Sequence, residues 1–166
     1  MCIRDRFGAS LIGYDVVENE ALKSTCGLRY TSLANLLAEA DVVTLHAPLL
    51  PETSKMLGKS QLGLMKSSAV LVNCARGELV DESALYEHLR AGGIAGAAVD
   101  VFGTEPPQSS PLLELDNVLA TPHIGAYTYE AMTGMDRLCA ETIINVLINR
   151  RITPNLLNQE VLSDDD

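Results

Sequence analysis

The sequence predicts an α/β fold, a parallel and doubly wound sheet, on three observations. Short apolar runs alternate with segments of helical period, the pattern of repeated β-α-β units. Each run is bounded by turn residues and is apolar nearly throughout, as strands buried on both faces are. Three chemically active residues, Arg76, Glu105 and His123, come just after three such runs, VLVNC, GAAVDVF and NVLAT. That places them at the ends of neighbouring strands, where open α/β sheets bind ligands.

The elements follow in order. SLIGYD (10–15) reads as a strand. TSLANLLAEA (31–40) carries Leu33, Leu36, Leu37 and Ala40 at helical spacing, with Thr31 or Ser32 as its cap. DVVTLHAP (41–48) is the next strand, stopped by Pro48. SKMLGKSQLGLM is poorly periodic, with a short helix near its end. SAVLVNCA (68–75) is a strand. DESALYEHLRAGG (81–93) is a helix capped by Asp81, with Ala84, Leu85 and Leu89 inward and Gly92 as its stop. His88, between Glu87 and Arg90, is expected at the surface. GAAVDVF and NVLATPH are the last strands. A helical pattern then runs from about Thr128 to Asn149, and RITPNLLNQEVL ends the chain extended.

Composition narrows the function. With 47% apolar and 20% charged residues, the 166-residue chain has the make-up of a soluble globular protein. A net charge of −10 argues against a nucleic-acid partner. No apolar run reaches the roughly 18 residues of a membrane span, and MCIRDR has no apolar stretch behind it as a signal peptide would. Cys2, Cys26, Cys74 and Cys139 form no C-x-x-C pair and lie at no metal-ligand spacing from a His. Four reduced thiols in a cytoplasmic protein, and no metal, are expected.

The strings NCARGELVDESAL (73–85), DVFGTEPP (100–107) and TPHIGAYT (121–128) are specific in combination. In that order and spacing they resemble the nucleotide-binding half of the D-isomer-specific 2-hydroxyacid dehydrogenases. The similarity runs from about Phe7 to Leu162. It implies a Rossmann-like domain and NAD-dependent hydride transfer between a 2-hydroxy and a 2-oxo acid. D-3-phosphoglycerate dehydrogenase is the favoured branch, on NCARGELVDE and HAPLLPET, with glycerate/hydroxypyruvate or glyoxylate reductase as the alternative. A different class, an NAD-sensing corepressor that binds partner proteins, shares this resemblance.

The resemblance assigns the catalytic set. A lone His more often serves a turn, but His123 in TPHIGAYT is expected to be the general acid/base, a task suited to a group that titrates near neutral pH. Glu105, otherwise a loop charge before two prolines, is expected to hydrogen-bond the ring and fix its tautomer. Arg76, otherwise a partner for Asp81 or Glu82, is expected to grip the substrate carboxylate with its planar fork and to stabilise charge on the reacting carbonyl. His46, Ala47, Pro48 and Thr53 match the strand end and loop that contact the cofactor. Cys74, Ala75 and Asp100 match positions near the nicotinamide, with Asp100 a receiver for the carboxamide or else a turn acid, and Arg76, His123 and Gly125 are also expected among the cofactor contacts.

Asp15 ends the strand SLIGYD, where a Rossmann fold carries the acid that holds the ribose hydroxyls. Val16 follows and no Arg is close, which favours NAD over NADP. That acid stands about 20 residues after a glycine fingerprint, yet only 14 residues precede it and no G-x-G-x-x-G occurs. The chain therefore reads as a C-terminal fragment lacking the first strand and glycine loop, with MCIRDR resembling an assembly scar. Residues 7–127 would be a partial NAD-binding domain and 128–166 a C-terminal helix and return segment. The fragment alone is expected to be inactive, with strands 10–15 and 41–46 either leaving a gap between them or pairing without their normal partner. The full-length protein is expected to be a homodimer or larger homo-oligomer acting on a small 2-hydroxy or 2-oxo acid.

Overall fold

The computed structural model describes residues 8–154. Cys2, the MCIRDR start and residues 155–166, including most of the extended end expected for the chain, lie outside the described residues. Two compact units divide between His123 and Ile124.

In the first unit, β3 (Val42–Leu45), β4 (Val70–Asn73), β5 (Gly96–Val99) and β6 (Val118–Ala120) form a parallel sheet in chain order. A smaller parallel pair joins β1 (Ile12–Gly13) to β2 (Arg29–Tyr30). Four helices connect the strands: α1 (Glu20–Cys26), α2 (Leu33–Glu39), α3 (Lys59–Leu62) and α4 (Glu82–Arg90). The strands alternate in burial. Val43, Leu45, Leu71, Ala97 and Val99 face a core that also takes Leu37 from α2, Leu62 from α3, and Leu85 and Leu89 from α4. The opposite row is more open: Val42 is 61% exposed and Leu119 68%. A period of two is what a pleated strand imposes when one face carries the core.

Capping groups set the helix starts. Ser32, of the two candidates, caps α2 by accepting the Asn35 N–H at 3.2 Å. Asp81 caps α4 by accepting the Ala84 N–H at 3.1 Å. Past α4, Gly92 turns the chain at φ 69°, a left-handed conformation that suits glycine. The turn folds Gly93 back beneath His88, whose carbonyl accepts the Gly93 N–H at 2.9 Å. A Cβ on Gly93 would lie 2.3 Å from the His88 ring. His88 is therefore half-buried with Nε2 enclosed, a correction to the surface position expected for it.

α1 and β2 were not anticipated. α1 buries no residue, so it has no apolar stripe to read. Its ends were nonetheless written locally, in the Asn19 cap, which accepts from Ala21 and Leu22, and in Gly27 at φ 65°. The short helix of the 54–65 stretch sits at its middle, not its end. In the second unit α5 (Tyr129–Ile143) starts from the Thr128 cap and continues as a π-helical turn over Ile144–Ile148.

Among the described residues no ladder joins β1 to β3. Among the described residues β3 is an edge strand of its sheet, and such edges recruit other strands. The 166-residue chain purified alone is expected to self-associate, and Val42→Lys, which charges that edge strand, should reduce the association. Light scattering after size exclusion reads this. A monodisperse monomer would count against an available edge.

Candidate active site

The register of the four-stranded sheet puts Leu45, Asn73, Val99 and Ala120 in one row. The carboxyl ends are therefore flush. His46, the Cys74–Arg76 turn, the Asp100–Glu105 loop and the Thr121–His123 turn all leave from the same rim.

Glu105 and His123 meet directly. Nδ1 of His123 lies 2.8 Å from Oε2 of Glu105, across 18 residues of sequence. Both side chains keep solvent access, 50% for the imidazole and 37% for the carboxylate. The other oxygen, Oε1, accepts the Phe102 N–H at 3.1 Å, so the carboxylate is held from two sides. The bond from His123, and then the one from Phe102, hold the Glu105 carboxyl below its usual value of about 4.5. His123 itself adopts φ 55°, and its N–H donates to the Thr121 carbonyl at 3.0 Å. A non-glycine residue in that region is uncommon and is maintained only by its surroundings. A cleft of about 330 Å³ adjoins the pair, walled by Phe102, Pro106, Pro107 and Pro122.

Arg76 follows β4 and is exposed. Its Nη1 donates to the Ala75 carbonyl at 2.6 Å. Asp81, the competing partner, instead pairs with Lys55 at 3.3 Å and caps α4. The next residue, Gly77, seats this turn against the Glu105 loop: a Cβ there would stand 2.1 Å from the Phe102 carbonyl carbon and 2.4 Å from the Gly103 nitrogen. No side chain fits, so glycine is required by close approach.

The expected cofactor positions divide among these loops. Asp15 is exposed two residues past β1, with Oδ1 accepting the Val17 N–H at 3.3 Å. His46 Nε2 lies 3.1 Å from the Thr44 hydroxyl. Ala47 packs against the core. Thr53 donates to the Pro48 carbonyl at 2.7 Å and accepts the Leu50 N–H at 2.8 Å, which closes the 48–53 loop. Cys74 is exposed, and Ala75 is half-buried. Asp100 is 5% exposed and accepts the Thr121 hydroxyl at 2.5 Å. Gly125 belongs to the second unit.

Sequence reasoning passed over Asn73, Gly77 and Thr121. Asn73, 2% exposed, accepts the Ala75 N–H at 3.1 Å and donates to the Arg76 carbonyl at 2.9 Å. A signal for it was present: a polar side chain breaks the apolar run VLVNC immediately before the motif arginine. Among the described residues, no group of three or more His, Cys, Asp or Glu could hold a metal ion, and no helix is long and apolar enough to cross a membrane.

A flush-ended parallel sheet with an acid after β1 and an imidazole–carboxylate pair on its rim defines the class as a nucleotide-binding α/β domain. Residues 2–125 match the profile described as D-isomer specific 2-hydroxyacid dehydrogenase, NAD binding domain, and the chain belongs to that family. It is 46% identical over 153 residues to the D-3-phosphoglycerate dehydrogenase of Methanocaldococcus jannaschii, covering 92% of this chain and 29% of that protein. It is 44% identical over 157 residues to the glyoxylate reductase of Korarchaeum cryptofilum, covering 94% and 47%. The NAD-complexed D-isomer specific 2-hydroxyacid dehydrogenase of Lactobacillus delbrueckii ssp. bulgaricus superposes with a TM-score of 0.83 at 37% identity, covering 94% of this chain and 50% of that one. The chain thus spans between under a third and about half the length of these relatives.

The Glu105–His123 contact makes a pH-dependent contribution with a definite sign. Glu105 has a lowered pKa in the fold. Its contribution to stability is fully present above about pH 4.5 and is lost as pH falls through the lowered value. Relative to Glu105→Gln, the wild-type advantage in urea midpoint should shrink once pH falls below about 4.5. An advantage that does not shrink as pH falls below about 4.5 would contradict a carboxyl held below its usual value.

Proposed function

We propose that this chain is the cofactor half of an NAD-dependent dehydrogenase that interconverts a D-2-hydroxy acid and its 2-oxo acid. The observation that carries the reading is the 2.8 Å contact between His123 and Glu105 on the rim that also bears Arg76. The residues present fit a dinucleotide. Asp15, exposed past the end of β1, offers a carboxylate to the ribose hydroxyls, and the rim residues Cys74, Ala75 and Asp100 offer a wall to the nicotinamide end. His46, Ala47, Pro48 and Thr53 would shape the same pocket, and Gly125 is assigned to it by resemblance. When bound, the cofactor would supply hydride chemistry at C2, its reduced form as donor to the 2-oxo acid and its oxidised form as acceptor from the 2-hydroxy acid.

The protein residues handle the proton and the charge. Glu105 occupies Nδ1 of His123, so Nε2 is the nitrogen that gives a proton to the carbonyl oxygen in reduction and takes it from the hydroxyl in oxidation. Arg76 binds the substrate carboxylate through two parallel N–H donors and stabilises negative charge developing on the adjacent oxygen. Residues 7–127 would then be the cofactor domain and 128–166 the helix and return segment, in a homo-oligomeric, cytoplasmic enzyme.

3-Phosphoglycerate is the favoured substrate, on the HAPLLPET and NCARGELVDE strings. Glyoxylate or hydroxypyruvate is the second reading, supported by relatives of nearly equal identity named glyoxylate reductase. Turnover of each acid by the whole protein decides between them.

Two outcomes are expected in the whole protein. His123→Ala should lower turnover by roughly 100- to 10,000-fold, the usual worth of a placed acid/base, while Arg76→Ala should chiefly raise KM for the acid. Near-normal turnover without the imidazole would remove its role. Separately, Asp15→Ala combined with Val16→Arg should shift the kcat/KM ratio towards NADPH, because a carboxylate that repels a 2′-phosphate is replaced by a cation that receives one. An unchanged NADH-to-NADPH ratio would dismiss Asp15 as the selector.

A further inference from the structure

We infer that Asn73 is a positioning residue that sets the place of Arg76 for carboxylate binding. The inference rests on the reading of Arg76 given above. Asn73 occupies a core-facing position whose neighbours in that row, Val43, Leu45, Leu71, Ala97 and Val99, are all apolar. Packing alone would be served by another apolar side chain there. A buried amide is kept only where its polar atoms are partnered.

Both partners of this amide lie in the next three residues. Oδ1 accepts the Ala75 N–H and Nδ2 donates to the Arg76 carbonyl. The side chain therefore spans the Cys74–Arg76 turn from inside, holding it at two points. A serine or an ionised aspartate cannot replace it, because the task needs a donor and an acceptor a fixed distance apart on one planar group. The Asn73 carbonyl meanwhile accepts the Asp100 N–H at 2.9 Å, which ties the base of the turn to the end of β5. Gly77 then presses the far side of the turn onto Phe102 and Gly103. Arg76 is thus fixed on both flanks relative to the loop that carries Glu105.

The geometry predicts a particular kinetic signature. Displacing a binding group by about 1 Å can cost as much as 100-fold. In the whole protein, with hydroxypyruvate and NADH as probes, Asn73→Ala is expected to raise KM for hydroxypyruvate by roughly ten- to 100-fold. The thermal midpoint should fall as well, because the Ala75 N–H and the Arg76 carbonyl lose their buried partner, while KM for NADH should change less than KM for hydroxypyruvate. Asn73→Asp has the same shape, keeps the bond from Ala75 and loses the one to Arg76. It should show the same KM defect, and it carries the test if the alanine variant does not fold. The decisive measurement is a double-mutant cycle. If Asn73 acts through Arg76, adding Asn73→Ala to Arg76→Ala should cost almost nothing further in kcat/KM. Additive losses, or a fall in kcat at unchanged KM, would overturn the inference while leaving Arg76 in its role. If Arg76→Ala itself leaves KM for hydroxypyruvate unchanged, the carboxylate-binding reading fails and the role of Asn73 fails with it.

Discussion

The register of four parallel strands is the constraint on which the site depends. Leu45, Asn73, Val99 and Ala120 are hydrogen-bonded neighbours in one row, so four loops begin at one level. Side chains in a strand alternate between faces, and a slip of one residue would send Asn73 and Leu71 to the open side and expose the core row. Core burial therefore fixes register, and register fixes where Arg76, Glu105 and His123 start. The inner face of that sheet is packed by α2, α3 and α4.

Starting level alone does not bring side chains together. Three polar contacts and one close approach do that. Asn73 ties β4 to β5 through the Asp100 N–H, Asp100 ties β5 to β6 through the Thr121 hydroxyl, and the Thr121 carbonyl takes the N–H of His123. The chain of bonds crosses the strand ends in the direction of the sheet. Asn73 and Asp100 are almost fully buried, so losing a partner would leave a desolvated polar group, worth more than the bond itself gains. Gly77 adds the steric half of the fit by letting two backbones touch. The left-handed φ of His123 is held by this network at one end and by Glu105 at the other.

What the sequence revealed follows from which forces act locally. The helices at 33–39 and 82–90 and the strands at 42–45, 70–73 and 96–99 announce themselves because one face of each is apolar at the proper period, and Asp81 and Ser32 cap through bonds to residues three positions on. α1 and the two-residue strand β2 escaped because neither has a buried face to pattern its sequence. His88 misled for the opposite reason. Its charged neighbours Glu87 and Arg90 mark a solvent face, but the turn at Gly92 brings Gly93 under the ring. The Glu105–His123 pair was legible from motifs. The reason that Gly77 is glycine was not, since its constraint comes from Phe102, 25 residues away.

The same division explains the unequal exposure of the site's carboxylates. Asp100 is buried and accepts a hydrogen bond from the hydroxyl of Thr121, just past β6, a bond that a low dielectric strengthens and that serves to hold the frame. Glu105 remains open to solvent and draws on an imidazole and one backbone N–H. An exposed ion pair contributes little to stability, so the pair is poorly explained as a strut. An accessible carboxylate fixed from two sides is well suited to orienting the His123 ring, as the proposed acid/base role requires. The frame is therefore built from buried, fully partnered polar groups. The Glu105–His123 pair is left at the surface of that frame, open to solvent.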